Sequence, residues 1–472
     1  MYGMLMANVD DSFPYHSKAL DFETLMKEFP PAPAFGATVA RLSADALSDL
    51  QDKRFLSVMA SAWHIPFYLR RWRAVGIEPG DIRSIDDLPL LPAFTIHDLR
   101  DSIERKPPFG DYMAVSQSDT ANHPLTLVTS GGTTGMPRPM LYAAREREIM
   151  TILRSRSLHM HGVRPGDLVQ VTMALGLSNG GLGTRDALQR YNGAIAISTG
   201  SGNSTPSRRQ IELAQSIGSQ VFLGFPAYLR HLGRVAQDEL SINPQSLKIK
   251  VISSHLGTEE RGTLEQMWGC RCFDSYGCHE VGHVASECEQ ADGMHLFEDA
   301  VITEFVDTTN GAPVPQGQPG SMVLTSLYRH DVPFIRYNIN DVAALRGGTC
   351  ACGSTLKRIS PILGRGDLMV KLRGVNVFPE AVGAVVGADL RCNGEFFCVV
   401  NRVGLDGHDD MVVSVEINPS SNAASVVAAL ETRLKEVIGV KVSVQTKGVG
   451  ELAHLTGITT TSKPKRLVDQ RK

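Results

Sequence analysis

Apolar and polar positions follow two rhythms along this chain, and the change between them marks its parts. Before about Leu125 the pattern is helical and irregular, and "DLPLLPAFTIHDLRDSI" (87–103) carries the proline and Asp/Thr punctuation that starts and stops short helices. Beyond Leu125, short apolar runs alternate with helical periods. "DLVQVTMAL" (167–175) predicts a buried strand, "SRRQIELAQSIG" (207–218) an amphipathic helix ended by its glycine, and "SQVFLGF" (219–225) and "LKIKVISS" (247–254) two more strands. Strand and helix in alternation predict an α/β domain with layered, mostly parallel sheets. From "MHLFEDAVITEFVD" to "GSMVLTSLY" (294–328) the pattern turns to β-hairpins, with "TNGAPVPQGQPG" as the turn-rich loop between strands.

A boundary falls near "LGRGDLMVKLRG" (363–374), which divides the chain into a large unit, 1–366, and a small α+β unit, 367–472. In the small unit "EFFCVVNRV" and "DMVVSVEI" predict paired strands, and "VKVSVQT" a third. Between them lies a helix with Val426, Val427, Leu430, Leu434, Val437 and Ile438 on one face, capped by Ser421 or Asn422 and stopped by Gly439.

With 472 residues the chain is long enough for a large core, and its net charge of −3 gives no reason to expect a nucleic acid or an anionic membrane as partner. There is no apolar run long enough for a membrane span, and the start reads as no secretory signal. The eight cysteines are too sparse for a disulfide-stapled secreted protein, so a cytoplasmic location with free or metal-bound thiols is expected.

The most unusual local sequence is "VTSGGTTGMPRPMLY" (128–142). Glycines let backbone N–H groups approach an anion closely, and Thr133 and Thr134 add hydroxyl donors, so Ser130, Gly131, Gly132, Thr133, Thr134 and Gly135 form a candidate phosphate loop. It is not a Walker loop, and an ordinary flexible loop remains the alternative.

This loop resembles the phosphate loop of the acyl-adenylating superfamily, and further motifs of that superfamily follow in order. "DSYGCHE" (274–280), "IRYNIND" (335–341), "LGRGDLMVKLRGVNVFP" (363–379) and "TSKPKRLVD" (461–469) resemble its adenine, ribose, hinge and catalytic-lysine motifs. "PPFGDYMAV", "GLSNGGLG", "FEDA" after "GMH", "CACGSTLKRI" and "RGVNVFP" resemble the phenylacetate–coenzyme A ligase branch, from about Trp63 to the C-terminus.

The resemblance implies ATP, Mg²⁺ and coenzyme A as reactants and cofactors, and a small carboxylic acid as substrate. It implies that Tyr276 stacks on adenine, with Ser254, His255, Asp274, Ser275 and Gly277 around it. Glu280 would hold Mg²⁺, Asp341 the ribose hydroxyls, Arg365 the nucleotide, and Asp367 would be the hinge. Lys463 would reach the carboxylate and α-phosphate, joining Glu280 and Thr133 as the catalytic set. Leu175, Ser178, Asn179, Gly180, Gly181 and Phe225 would line the acyl pocket. A homodimer is a further expectation from the same source.

Several positions depart from the family pattern. Gly131 and Met136 stand where serine and lysine are usual, with Arg138 partly restoring the charge, and Asn338 and Asn340 replace basic residues beside Asp341. His255 lies where the branch keeps G-A-E, either as an acceptor for the adenine amino group or as a structural residue. Met173, Leu175, Ser178 and Asn179 stand in place of aromatic residues, which points away from phenylacetate towards a substituted benzoate-type or other small acid with a hydrogen-bonding substituent.

Cys288, His295, Cys350 and Cys352 would come together in the resembling fold as a Cys₃His set suited to structural Zn²⁺; the alternative is reduced thiols and a histidine without metal. The function expected is acid activation through an acyl-adenylate followed by thioester formation with coenzyme A. Transfer to a carrier protein or a nitrogen nucleophile, and a nucleotide-binding protein without catalysis, stay open.

Overall fold

The computed structural model of the protein describes residues 16–115, 124–130, 138–257, 261–373, 375–403, 408–457 and 465–471. Helices lead. Asp21, Ser43 and Thr95 cap the helices Phe22–Glu28, Ala44–Ala62 and Ile96–Arg105 with their side-chain oxygens, as the Asp/Ser/Thr punctuation predicts. Leu25, Phe29, Phe35, Phe55, Val58 and Met59 of this leading region are buried in the main core, so residues 22–62 belong to the large unit.

Strands β1 (Leu125–Ser130) and β2 (Arg138–Ala143) form an antiparallel hairpin with Ser130 opposite Arg138, so the glycine-threonine loop joins its two ends. The helix Ala144–Met160 follows. The parallel part of the large sheet is β3 (Leu168–Val171), β4 (Ile195–Ile197), β5 (Val221–Leu223), β6 (Val251–Ser254) and β7 (Arg271–Cys278), in the order β7-β6-β5-β3-β4. The hairpin region continues the same sheet in antiparallel fashion through β8 (Gly282–Glu287), β9 (Met294–Leu296), β10 (Val301–Val306), β11 (Pro319–Ser326), β12 (Tyr337–Arg346), β13 (Arg358–Ile359) and β14 (Gly364–Arg365). The crossover helices include Ser207–Ile217, stopped by Gly218 at φ +78° as its sequence predicts.

The rest of the chain builds a second core on β15 (Val370–Leu372), β16 (Val375–Val377), β17 (Cys392–Val403), β18 (His408–Ile417), β19 (Ser443–Lys447) and β20 (Leu467–Asp469). β17 and β18 are antiparallel, and β19 and β20 flank them in parallel. The helix Ala423–Ile438 is capped by Asn422 and ended by Gly439. One detail differs from the sequence reading: Val437 is 54% exposed, whereas Val426, Leu430, Leu434 and Ile438 are buried. Those four fall every fourth residue on one stripe, and Val437 lies about 100° to the side of Ile438.

Candidate functional site

The predicted nucleotide residues converge where β7 ends and β8 begins, beside β12 and β14. Asp274, Ser275 and Tyr276 are buried on β7, and the Tyr276 hydroxyl donates to Asp341 Oδ2 at 2.6 Å. Asp341 pairs in register with Arg365 across β12 and β14, and its carboxylate lies 3.5 Å from the Arg365 guanidinium. Arg365 also grips Asp367 through two bonds of 2.8 Å. Thus the adenine, ribose and hinge motifs, separated in sequence, share one hydrogen-bonded chain.

Local geometry explains several residue choices here. A Cβ on Gly277 would come 2.7 Å from the Gly282 carbonyl oxygen, so only glycine fits where β7 and β8 are irregularly paired. Asn340 has φ +65°, a left-handed conformation that asparagine tolerates better than most residues. Asn338 Oδ1 accepts from Asn340 N at 3.0 Å and from Ser321 Oγ at 2.7 Å. The two asparagines that replace basic residues therefore shape the irregular stretch of β12 that presents Asp341.

His255 Nδ1 lies 3.1 Å from the Ser275 carbonyl oxygen, and its ring sits 5.9 Å from that of Tyr276 at an angle of 42°. Ser254 Oγ donates to Gly224 O at 2.7 Å. Burial pushes the Asp274 carboxyl up to about 6, although Asp274 Oδ1 accepts the Leu256 amide at 2.8 Å.

Glu280 is buried and forms an ion pair with Arg138 from the start of β2. Burial alone would raise the Glu280 carboxyl, but Arg138 outweighs it and holds the group below its usual range. Tyr337 Oη lies 3.4 Å from the same carboxylate, and buried Arg329 donates to the Glu280 carbonyl at 2.5 Å. Nε and Nη1 of Arg138 are buried without partners among the described residues. The side chain of Ser130, the residues Gly131, Gly132, Thr133, Thr134 and Gly135, and Lys463 lie outside the described residues.

The acyl-pocket candidates cluster beside this site. Ser178 caps the helix Asn179–Ala187, and β1 docks there through Thr129 N to Leu177 O at 3.0 Å. A Cβ on Gly181 would come 2.4 Å from the Ala174 carbonyl, and one on Gly180 would come 3.0 Å from Met173 Cε. Leu175 is half-buried, and Phe225 is 52% exposed.

The structure adds residues that the sequence reading did not select. His279 Nε2 lies 3.4 Å from both Ser178 Oγ and Asn179 N, which places an imidazole at the helix start. Arg147 holds Asn179 Oδ1 at 2.8 Å and Asp186 at 3.0 Å. The only sequence signal for His279 is its place beside Glu280 in the adenine motif; Arg147 carries none, because its partners lie 32 and 39 residues away.

The cysteine cluster assembles as well. One ligand atom from each of Cys288, His295, Cys350 and Cys352 lies within 4.8 Å of the others. The Cys288 and Cys350 sulfurs are 3.6 Å apart, and Cys352 Sγ is 3.4 Å from His295 Nε2. β8, β9 and β13 pair in sequence across the sheet, and this pairing brings the two cysteine segments together. Three thiols and an imidazole in this space fit tetrahedral Zn²⁺.

Residues 374–471 match the family model described as "AMP-binding enzyme C-terminal domain". Over 455 residues the chain is 30% identical to phenylacetate–coenzyme A ligase of Aromatoleum evansii, covering 93% of this chain and 98% of that protein. That match extends into the first sixty residues, which the motifs alone left outside. Among solved structures, 2-hydroxyisobutyryl-CoA ligase in the postadenylation state, in complex with R3-HIB-AMP, is 26% identical with a TM-score of 0.77, covering 94% of this chain and 92% of that one. The same ligase in complex with 2-HIB-AMP and CoA in the thioesterification state is 28% identical with a TM-score of 0.66, covering 91% of each chain. Together with the ordered motifs and their convergence, these likenesses show that the chain belongs to the phenylacetate–coenzyme A ligase family of adenylate-forming acyl–coenzyme A ligases.

Proposed function

We propose that this protein activates a small carboxylic acid with ATP, forming an acyl-adenylate and pyrophosphate, and then transfers the acyl group to the thiol of coenzyme A. The observation that carries this reading is the linked set Tyr276, Asp341 and Arg365, with buried Glu280 just past the end of β7, in a chain of this family. Adenylation brings two anions together, so its catalysis is positioning and charge neutralisation.

Tyr276 and His255 bound the adenine position, Asp341 takes the ribose hydroxyls, and Arg365 contacts the nucleotide. The loop Ser130–Gly135, with the hydroxyls of Thr133 and Thr134, wraps the outer phosphates. A single buried carboxylate, completed by phosphate oxygens and water, suits Mg²⁺. Glu280 provides it, and when bound the ion neutralises phosphate charge. Arg138, with two nitrogens unbonded among the described residues, has donors left for the triphosphate. Asp367 divides a large unit, 1–366, from a mobile lid, 367–472, that carries Lys463. None of the eight cysteines is in a disulfide, in keeping with a cytoplasmic protein.

Pyrophosphate release with ATP and Mg²⁺ across aryl, arylacetic and aliphatic acids tests the reading. Release accelerated by coenzyme A is the expected result. Release that ignores coenzyme A but rises with a carrier protein or an amine would overturn the assigned acceptor.

We further propose that Cys288, His295, Cys350 and Cys352 hold a structural zinc ion. The loop that carries Cys350 and Cys352 is tied to the leading helices: Thr355 bonds Ala40 O through its amide at 2.9 Å and Leu42 O through its hydroxyl at 2.8 Å. With four protein ligands there is no open position for chemistry. Elemental analysis is expected to find about one zinc per chain. Replacing Cys350 and Cys352 by serine is expected to remove it and lower Tm by several degrees. Metal-free wild type with an unchanged Tm would refute the site.

A further inference from the structure

The start of the helix Asn179–Ala187 is held between two parts of the proposed triphosphate site. On one side stands β1, which leads into the glycine-threonine loop and bonds Leu177 O through Thr129 N at 3.0 Å. On the other side stands His279, the chain neighbour of Glu280. The backbone N–H of Asn179 donates to His279 Nε2 at 3.4 Å, and the Ser178 side chain caps the helix at Gly180 N. The backbone of this turn is thus engaged. The side-chain amide of Asn179, half-buried at the first helical position, still has hydrogens to give.

Arg147, on the helix Ala144–Met160, fixes which way that amide points. Its Nη1 donates to Asn179 Oδ1 at 2.8 Å and its Nη2 to Asp186 Oδ2 at 3.0 Å. The Arg147 and Asp186 side chains are only 13% and 7% exposed, so the guanidinium is clamped in place. A guanidinium can donate but not accept. The oxygen of the Asn179 amide must therefore face Arg147 and its NH₂ must face away, which settles a choice that shape alone leaves open. Asn179 Nδ2 makes no hydrogen bond among the described residues, and it keeps accessible surface. Two N–H groups of fixed direction thus stand unused and reachable beside Ser178, Gly180 and Gly181.

We propose that Asn179 reads the substituent of the acid by donating from its NH₂ to a hydrogen-bond acceptor on the substrate, and that Arg147 is the positioning residue that keeps the donating end turned towards the acid. This rests on the acid-activating reading above and deepens it. Of the hydrogen-bonding substituents that this polar segment admits, it selects those that accept, such as an ether, hydroxyl or carbonyl oxygen, over those that only donate. Without Arg147 the amide could turn over and present its oxygen instead, because its two ends have nearly the same shape. Selection of acceptors over donors needs the clamp.

The test uses benzoates that carry a methoxy, ethyl or methylamino group at each ring position, and short aliphatic acids that carry methoxy or ethyl. The groups match in shape: methoxy only accepts, methylamino on a ring chiefly donates, and ethyl does neither. In pyrophosphate release with coenzyme A present, the wild type is expected to favour its best methoxy acid over the ethyl counterpart by about five- to tenfold in kcat/KM. Asn179→Asp keeps the oxygen that Arg147 holds and replaces the NH₂ with a second acceptor. It is expected to lose the methoxy preference and, among the benzoates, to favour methylamino. Arg147→Met is expected to bring the ratio close to one by raising KM for the methoxy acid more than it lowers kcat, with affinity for a non-hydrolysable ATP analogue unchanged. Arg147→Lys, which also only donates, should keep part of the ratio. Asp186 is not stranded by these changes, since Arg185 lies 3.1 Å from it. A simple brace between helices would behave otherwise: Arg147→Met would then slow every acid alike and keep the ratio, which overturns the positioning role. Wild type that uses ethyl acids as well as methoxy acids would overturn the reading by Asn179, as would an Asn179→Asp enzyme with the wild-type ratio. Should Arg147→Met not fold, Asn179→Asp decides. Release stimulated by coenzyme A but blind to the substituent sinks only this inference. Silence with every acid while the ATP analogue binds sinks the acid-activating reading as well.

Discussion

Glu280→Gln is expected to lower pyrophosphate release by about 10²–10³-fold, with all other reactants saturating. The carboxylate is the single acidic oxygen donor proposed for Mg²⁺, and an amide is a far weaker ligand for a hard cation. The same change should also weaken the fold. Glu280 and Arg138 are buried together, so removing one charge strands the other, at a cost of about 3–5 kcal/mol. A loss of activity could then reflect loss of structure. The double variant Arg138→Met/Glu280→Gln separates the two effects. It removes both charges, so Tm should recover most of what the single variant loses, because an apolar replacement of a buried pair is often neutral. Pyrophosphate release should stay low. Restored activity in the double variant would mean that Glu280 matters only as the partner of Arg138, and the metal role would fall.

That pair also shows where sequence reading stops. The adenine motif is contiguous, so Tyr276, Gly277 and Glu280 can be found in a single stretch of text. The partner of Glu280 stands 142 residues earlier, and only folding reveals it. The pairing of Arg156 with Asp299 is hidden for the same reason. Nothing in "ILRSRSLHM" says which arginine meets a carboxylate, because the partner Asp299 is carried by a distant turn of the sheet region. The helix caps were legible because they depend on residues within one turn: Gly218 and Gly439 both take the left-handed conformation that ends a helix. Val437 was misread because the face of a helix is set by the partner it packs against, which lies outside the helix's own sequence. The β1–β2 hairpin was not predicted either, since its strands are six residues each and Pro139 interrupts the second. The cysteine cluster became visible only through resemblance, as C-x-C spacing alone falls short of the usual zinc pattern.

Lys463→Ala is expected to reduce adenylation by about 10²–10³-fold while leaving thioester formation from preformed acyl-adenylate nearly unchanged. The asymmetry follows from what each step needs. In the first step a carboxylate must approach the α-phosphate against like charge, and a cation placed between them acts mainly in the transition state. In the second step a thiol attacks the adenylate carbonyl, AMP leaves readily, and that cation is no longer required there. Lys463 belongs to the small unit, so it can serve the first step and withdraw for the second if the unit turns about Asp367. The chain matches the relative in its postadenylation state at a TM-score of 0.77 and the same relative in its thioesterification state at 0.66. Asp367, the proposed hinge, is exposed and held by Arg365, which itself lies 3.5 Å from the ribose-motif Asp341, so a turn there would act on the proposed nucleotide site. The measurement is a pair of single-turnover assays on one variant, pyrophosphate release from ATP and acid, and acyl transfer from synthetic adenylate to coenzyme A. Equal losses in both would place Lys463 outside the adenylation step, and normal pyrophosphate release would move the role to Lys465.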